Sequence, residues 1–239
     1  MNKNTALYLN CIKADYGDFA AVDEASLMIP KGSMVSLIGT NGSGKTTLMN
    51  VAAGLIAPSS GSVELNGKDI TDMSAEARVC EGLSLVPQGA RCFARMSVED
   101  NLLAGSYVKR ARAKTSKLLE RVYSLFPSLK DKRHQPAGTL SGGERQMTAI
   151  GRALMSDPSV MLFDELSLGL APVVISDIYE RLKELNRQDG MTILLVEQDT
   201  RRAMRMTDHT YIMLGGRIVL EGDPSDMSEE AVKKAYFGI

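Results

Sequence analysis

Cysteine is scarce in this chain of 239 residues, and what there is does not pair: Cys11, Cys80 and Cys92 are odd in number and lack the spacing of a metal site. A disulfide-stapled scaffold is therefore excluded. The N-terminus lacks the basic-then-apolar pattern of a secretory leader, so the cytosol is the expected compartment. Charge of either sign in excess is also missing. A formal net charge of −1 calls for no collagenous, disordered or strongly nucleic-acid-binding explanation. There is no internal repeat, no low-complexity linker, and no uninterrupted apolar stretch of the ~20 residues that a membrane-spanning helix needs. What is present is an ordinary apolar content of 44%, enough to bury a substantial α/β core.

The apolar run from Met34 to Ile38 reads as a buried parallel strand, and Lys45-Thr-Thr-Leu-Met-Asn-Val-Ala-Ala opens a helical pattern. Between them lie Gly39, Thr40, Asn41, Gly42, Ser43 and Gly44. Glycines at this spacing permit backbone conformations and close approaches that side chains block, turning amide N–H groups and a helix N-terminus toward an anion. Phosphate is the fitting ligand. In such a loop Lys45 reaches the β- and γ-phosphates, Thr46 ligates Mg²⁺ and Thr47 bonds a phosphate oxygen.

A second buried-strand pattern, Val160–Phe163, ends in Asp164 and Glu165, setting two carboxylates at a strand's C-terminal edge beside that loop. Asp164 suits Mg²⁺ through water, because Mg²⁺ keeps much of its hydration, and Glu165 suits polarisation of an attacking water. Gln88 follows the strand-like Leu83–Pro87, and its amide can sense Mg²⁺ or water. A separate phrase, Leu140-Ser-Gly-Gly-Glu-Arg-Gln146, precedes the apolar stripe Met147, Ile150, Leu154 and Met155 of a helix expected to start near Glu144.

Together these residues resemble the ATP-binding subunits of ABC transporters over nearly the whole chain. The narrower likeness is to the shorter ATPase of branched-chain amino acid importers. It is carried by Val86-Pro-Gln-Gly, Phe93–Asn101, Ile150–Met155, Ser167–Pro172 and Leu195-Val-Glu-Gln198. The resemblance implies ATP and Mg²⁺ as ligands, with Tyr16 stacking adenine and Gln88 and Gln198 joining Glu165 in catalysis. It places Ser141, Gly142 and Gly143 against the ATP of an opposing subunit. It further implies a second ATPase, homomeric or heteromeric, separate membrane permeases, a solute-binding protein met indirectly, and a peripheral position on the cytoplasmic face of the membrane. No nucleic acid is expected. Importers of urea, amides or another solute, and a protein switch outside transport, stay open beside amino acid import. Three positions depart from the family pattern: Gln198 stands where many members carry His, Leu166 where proline is common, and Leu170 where Asp is frequent. Gln cannot gain positive charge, although its amide can still reach phosphate or water.

The expected fold is α/β: a P-loop ABC ATPase core with an antiparallel β portion and an inserted helical subdomain. One ATP-binding domain spans 1–239, with the helical and signature region at about 90–156. Ala6–Leu9 and Ala25–Ile29 suggest the antiparallel portion, Ser97-Val-Glu-Asp100 a helix cap, and Pro172 a helix start ahead of a stripe of Val174, Ile178, Leu182 and Leu185. Ser228–Tyr236 is another helix candidate. The basic cluster Lys109, Arg110, Arg112, Lys114 and Lys117 is expected to be solvated. Phe93 and Met96 fit either a membrane-subunit helix or ordinary packing of the inserted helices.

Overall fold

The computed structural model describes residues 4–17 and 19–238. The chain opens with β1 (Thr5–Tyr16) and β2 (Phe19–Pro30), an antiparallel pair whose inward residues, among them Leu7, Leu9, Leu27 and Ile29, are buried. The expected antiparallel portion is thus present, and it grows by β4 (Ser60–Leu65) and β5 (Lys68–Asp69) into a sheet ordered β2-β1-β4-β5. Between β2 and β4 come β3 (Met34–Ile38) and α1 (Lys45–Ala53). After α2 (Ala75–Glu81) and β6 (Leu83–Val86) the chain turns helical, through α3 (Val98–Ala104), α4 (Lys109–Arg112), α5 (Thr115–Leu125), α6 (Pro127–Asp131) and α7 (Gly142–Leu154). It then returns through β7 (Val160–Asp164), α8 (Pro172–Asp189), β8 (Thr192–Glu197), α9 (Thr200–Met206), β9 (His209–Leu214), β10 (Arg217–Gly222) and α10 (Glu229–Phe237).

The second sheet has the order β10-β9-β3-β8-β7-β6, parallel except for the β10–β9 pair. Strands β3, β7 and β8 are buried along their whole length, the condition that makes parallel strands read as continuous apolar runs. Their side chains alternate between two cores. Val35, Leu37, Leu162 and Leu194 face the first sheet with α1 between, while Met34, Phe163, Ile193 and Leu195 face the helical region and α8. All three strands therefore end at the same edge, where α1 begins.

Local signals explain most boundaries. Ser97 accepts from the Asp100 amide at 3.0 Å, Pro172 occupies the first turn of α8, and Ser228 caps α10. Helix α7 starts at Gly142 rather than near Glu144, because Ser141 and Glu144 form a reciprocal capping box. On α8, Val174 is only half-buried, and Ile175 lies deeper than it, beside Ile178, Leu182 and Leu185. The basic cluster is not uniformly solvated. Arg110 donates to the carbonyls of Val79, Cys80, Ser156 and Asp157, and Lys114 pairs with Asp157 at 2.6 Å. Those carbonyls lie at the C-terminal ends of α2 and α7, where backbone acceptors run out of helical partners, and the guanidinium supplies donors to both.

Arg78 repeats this device in the core. Almost fully buried, it donates to Val51 and Ala52 at 2.7 and 2.8 Å, to Thr71 at 2.7 Å and to Met73 at 3.1 Å. It thus closes the C-terminal end of α1, the helix whose N-terminus carries Lys45. Replacing it by Ala leaves several buried carbonyls unpaired, so Arg78→Ala should lower unfolding stability by about 2–4 kcal/mol. Denaturant titration followed by circular dichroism measures this; a midpoint equal to that of the parent protein contradicts the assignment.

Candidate functional site

The segment between β3 and α1 is shaped by its glycines. Gly42 and Gly44 have φ of 79° and 104°, conformations that favour glycine. A Cβ on Gly44 would meet the Ala21 carbonyl at 2.4 Å, and one on Gly39 would meet the Met213 carbonyl at 2.2 Å. The loop is therefore packed against β2 and β9 from behind, and its open side faces a cleft. Lys45, the first residue of α1, is buried, and its Nζ donates to the Gly39 and Thr40 carbonyls at 2.9 Å each. Burial pushes its pKa down, while the carboxylates of Glu165, Asp164 and Glu197 pull it back up.

Asp164 and Glu165 follow β7 at the same edge. Thr46 Oγ1 donates to Asp164 Oδ1 at 3.4 Å. Burial first, and the neighbouring Glu165 charge second, raise the Asp164 pKa above the usual carboxylate value. Glu165 sits in left-handed backbone, φ 47°, and its amide donates to the Val196 carbonyl at 2.9 Å. Each oxygen of its carboxylate takes one glutamine amide: Gln88 Nε2 donates to Oε2 and Gln198 Nε2 to Oε1, both at 2.8 Å. The three side chains come from the ends of β6, β7 and β8, so the parallel register itself assembles them. Leu166, at the common proline position, is buried in the core beneath.

A cleft of about 500 Å³ joins these groups. Tyr16, Asn41, Gly42, Gly44, Lys45, Thr46, Thr47, Gln88, Glu165 and Gln198 line it. Gly39, Thr40 and Ser43 form the rear of the loop. Tyr16 is 55% exposed at the mouth, and paired with it across the β1–β2 turn stands Phe19, 66% exposed, which belongs to none of the sequence motifs. Its sequence signal is an aromatic three positions after Tyr16. Ser141, Gly142 and Gly143 do not line the cleft. They begin α7, with Ser141 Oγ donating to Glu144 Oε2 at 2.9 Å, and Leu170 and Val174 pack closely over the two glycines.

The residues suit a nucleotide. Ser43 Oγ is buried in the loop with no hydrogen-bond partner, and Gly39 and Gly44 are positions that a Cβ would obstruct. They also suit Mg²⁺, which takes a few oxygen ligands, substrate phosphates and retained waters. The Thr46 hydroxyl, the Asp164 carboxylate and the Gln88 amide oxygen are such a set, its nitrogen being occupied by Glu165.

Residues 22–167 match the family described as ABC transporter. The chain belongs to that family. Among its relatives, the high-affinity branched-chain amino acid transport ATP-binding protein BraG of Pseudomonas aeruginosa is 39% identical over 224 residues, covering 93% of this chain and 95% of BraG. A probable branched-chain amino acid transport ATP-binding protein, LivF of Archaeoglobus fulgidus, is 35% identical and covers 95% of this chain and 97% of its own length. A crystal structure of an ABC transporter ATP-binding cassette in its ADP conformation superimposes with a TM-score of 0.83 at 30% identity, covering 98% of this chain and 99% of that one. The protein is an ABC ATPase, with the α/β core, antiparallel sheet and helical subdomain of those cassettes. Among the described residues, no helix is long and apolar enough to cross a membrane.

Two substitutions separate chemistry from binding in this ABC ATPase. Glu165→Gln should retain ATP affinity and slow turnover by about 10²–10⁴-fold, the range of general-base assistance. Lys45→Ala should chiefly weaken nucleotide affinity. Single-turnover hydrolysis and equilibrium nucleotide binding resolve the two effects, and near-parental hydrolysis by Glu165→Gln contradicts the assignment.

Proposed function

We propose that this ATPase powers import of branched-chain or related amino acids through separate membrane permeases. The observation that carries this reading is the end-to-end likeness to BraG at 39% identity. In this reading Tyr16 stacks the adenine, the amides of the 39–44 loop and Lys45 hold the β- and γ-phosphates, and Thr47 bonds a phosphate oxygen. Glu165, held between Gln88 and Gln198, orients and polarises the attacking water. Mg²⁺, when bound at Thr46, Asp164 and Gln88, neutralises charge that develops on the phosphates.

The second half of each site comes from a second ATPase subunit, whose ATP meets Ser141, Gly142, Gly143 and the N-terminus of α7. Gln198 favours an asymmetric pair, one composite site using this Gln and the other a partner's His. The whole chain acts as one ATP-binding domain, peripheral on the cytoplasmic face, with residues of about 90–156 as its helical and signature region. A permease helix docks at the cleft of about 260 Å³ lined by Pro87, Phe93, Tyr107 and Arg152, where the Arg152 guanidinium lies 4.9 Å from the centre of the exposed Phe93 ring. The solute-binding protein acts only through the permease.

A second reading, import of another solute, is favoured by the spread of transport among relatives. A sulfate/thiosulfate import ATP-binding protein of Nocardia farcinica is 35% identical and a phosphonates import ATP-binding protein of Rhizobium etli 33%. The native complex, gently extracted from membranes and reconstituted with its binding protein, should take up leucine and valine on ATP addition and leave urea and acetamide outside. Uptake of the amides alone selects the second reading. Exclusively soluble partners select a protein switch. Intact-complex mass should show one copy of this chain beside a different ATPase; two copies and no second ATPase overturn the asymmetric pair.

A further inference from the structure

Behind the glutamine that holds Glu165 lies a carboxylate that neither phosphate nor metal chemistry uses. Glu197, the last residue of β8, is 1% exposed. Ser167 Oγ donates to its Oε2 at 2.7 Å and the Ser167 amide to its Oε1 at 3.3 Å. The Tyr179 hydroxyl, on α8 and itself 2% exposed, also donates to Oε1. The Ser167 amide and the two hydroxyls supply donors to both of its oxygens. Burial holds its pKa above the ordinary value, and the hydrogen bonds from Tyr179 and Ser167 oppose that rise. A buried carboxyl group held by Ser167 and Tyr179 resists displacement, because breaking either contact leaves it underpaired.

These contacts matter because of where they lead. Gln198 follows Glu197 directly and grips Glu165 Oε1, while Ser167 stands two residues beyond Glu165 in the turn leading to α8. The Glu165–Gln198 bond is thus closed at its tips by the amide and at its roots by Glu197. The same turn carries Leu170, and α8 carries Val174, the residues packed over Gly142 and Gly143. We propose that Glu197 is a positioning residue for hydrolysis: with Ser167 and Tyr179 it locks the 165–170 turn to the root of Gln198, and so sets Glu165 at the water-polarising geometry. It touches no substrate and acts through Gln198. This rests on the reading of Glu165 and Gln198 as catalytic.

Single-turnover hydrolysis and ATP affinity are measured on the ABC ATPase in its native complex. Tyr179→Phe keeps the ring and removes one donor, and should slow hydrolysis about tenfold, the rate equivalent of one charge-assisted hydrogen bond, with ATP affinity unchanged. Glu197→Ala should be slower still, and Glu197→Gln, which keeps an acceptor oxygen, should recover most of the rate. In a Gln198→Ala background most of the Tyr179→Phe effect should vanish, an outcome that general loosening of the fold does not produce. If Glu197→Ala does not fold, Tyr179→Phe and Ser167→Ala carry the same comparison. Parental hydrolysis by Tyr179→Phe alongside a slow Gln198→Ala overturns this inference alone, as does an equal Tyr179→Phe loss in both backgrounds. Parental hydrolysis by Gln198→Ala overturns the catalytic reading of Gln198 and this route with it.

Discussion

Buried charge at one sheet edge is the constraint around which the rest of this protein is arranged. Asp164, Glu165 and Glu197 end β7 and β8 within the field of the buried Lys45 ammonium. Like charges this close, out of water, repel and destabilise the fold unless donors satisfy them, and the pKa of Asp164 is raised by burial and by the Glu165 charge. Each carboxylate has its own set: the Thr46 hydroxyl on Asp164, two glutamine amides on Glu165, and Ser167 with Tyr179 on Glu197. The parallel sheet delivers the acids, and the segments after each strand deliver the donors.

That arrangement explains why so much of the molecule serves one edge. Helix α1 must begin there, so its far end is secured by Arg78. The helical region must be held against the same sheet, and Arg110 ties it to the ends of α2 and α7. Neither guanidinium meets a carboxylate in these contacts; both act on carbonyls that helix ends leave without partners. The planar fork of arginine suits this work, because one side chain reaches several acceptors at fixed angles.

The parts of this design that were readable in the sequence are those written in local pattern. Glycine spacing between a strand and a helix marks the 39–44 loop, and unbroken apolar runs mark β3, β7 and β8 because both faces are covered. Ser97, Pro172 and Ser228 mark helix starts by chemistry that operates within one turn. The side chains grouped in the sequence from Lys45, Thr46, Gln88, Glu165 and Gln198 do meet around one cleft. What was not readable depends on partners far along the chain. Nothing near Arg110 distinguishes it from its solvated neighbours, since its acceptors lie at 79–80 and 156–157. Glu197 reads as an ordinary strand end until Ser167 and Tyr179 are seen to close over it. On α8 the helical period fixes the inward face only to within one position: Val174 packs against the core partly buried, and Ile175 fits beside Ile178 more deeply.

The central claim is that the 39–44 loop, Lys45 and the Gln88–Glu165–Gln198 unit form one phosphate-hydrolysing site. Its most direct test is a crystal structure of this protein with Mg²⁺ and a slowly hydrolysed ATP analogue. The account predicts the terminal phosphate within hydrogen-bond reach of Lys45 Nζ, with the ammonium drawn away from the Gly39 and Thr40 carbonyls and Glu165 facing that phosphate across a water. Nucleotide bound elsewhere, or a Lys45 still held by those carbonyls with the phosphate beyond its reach, would contradict it.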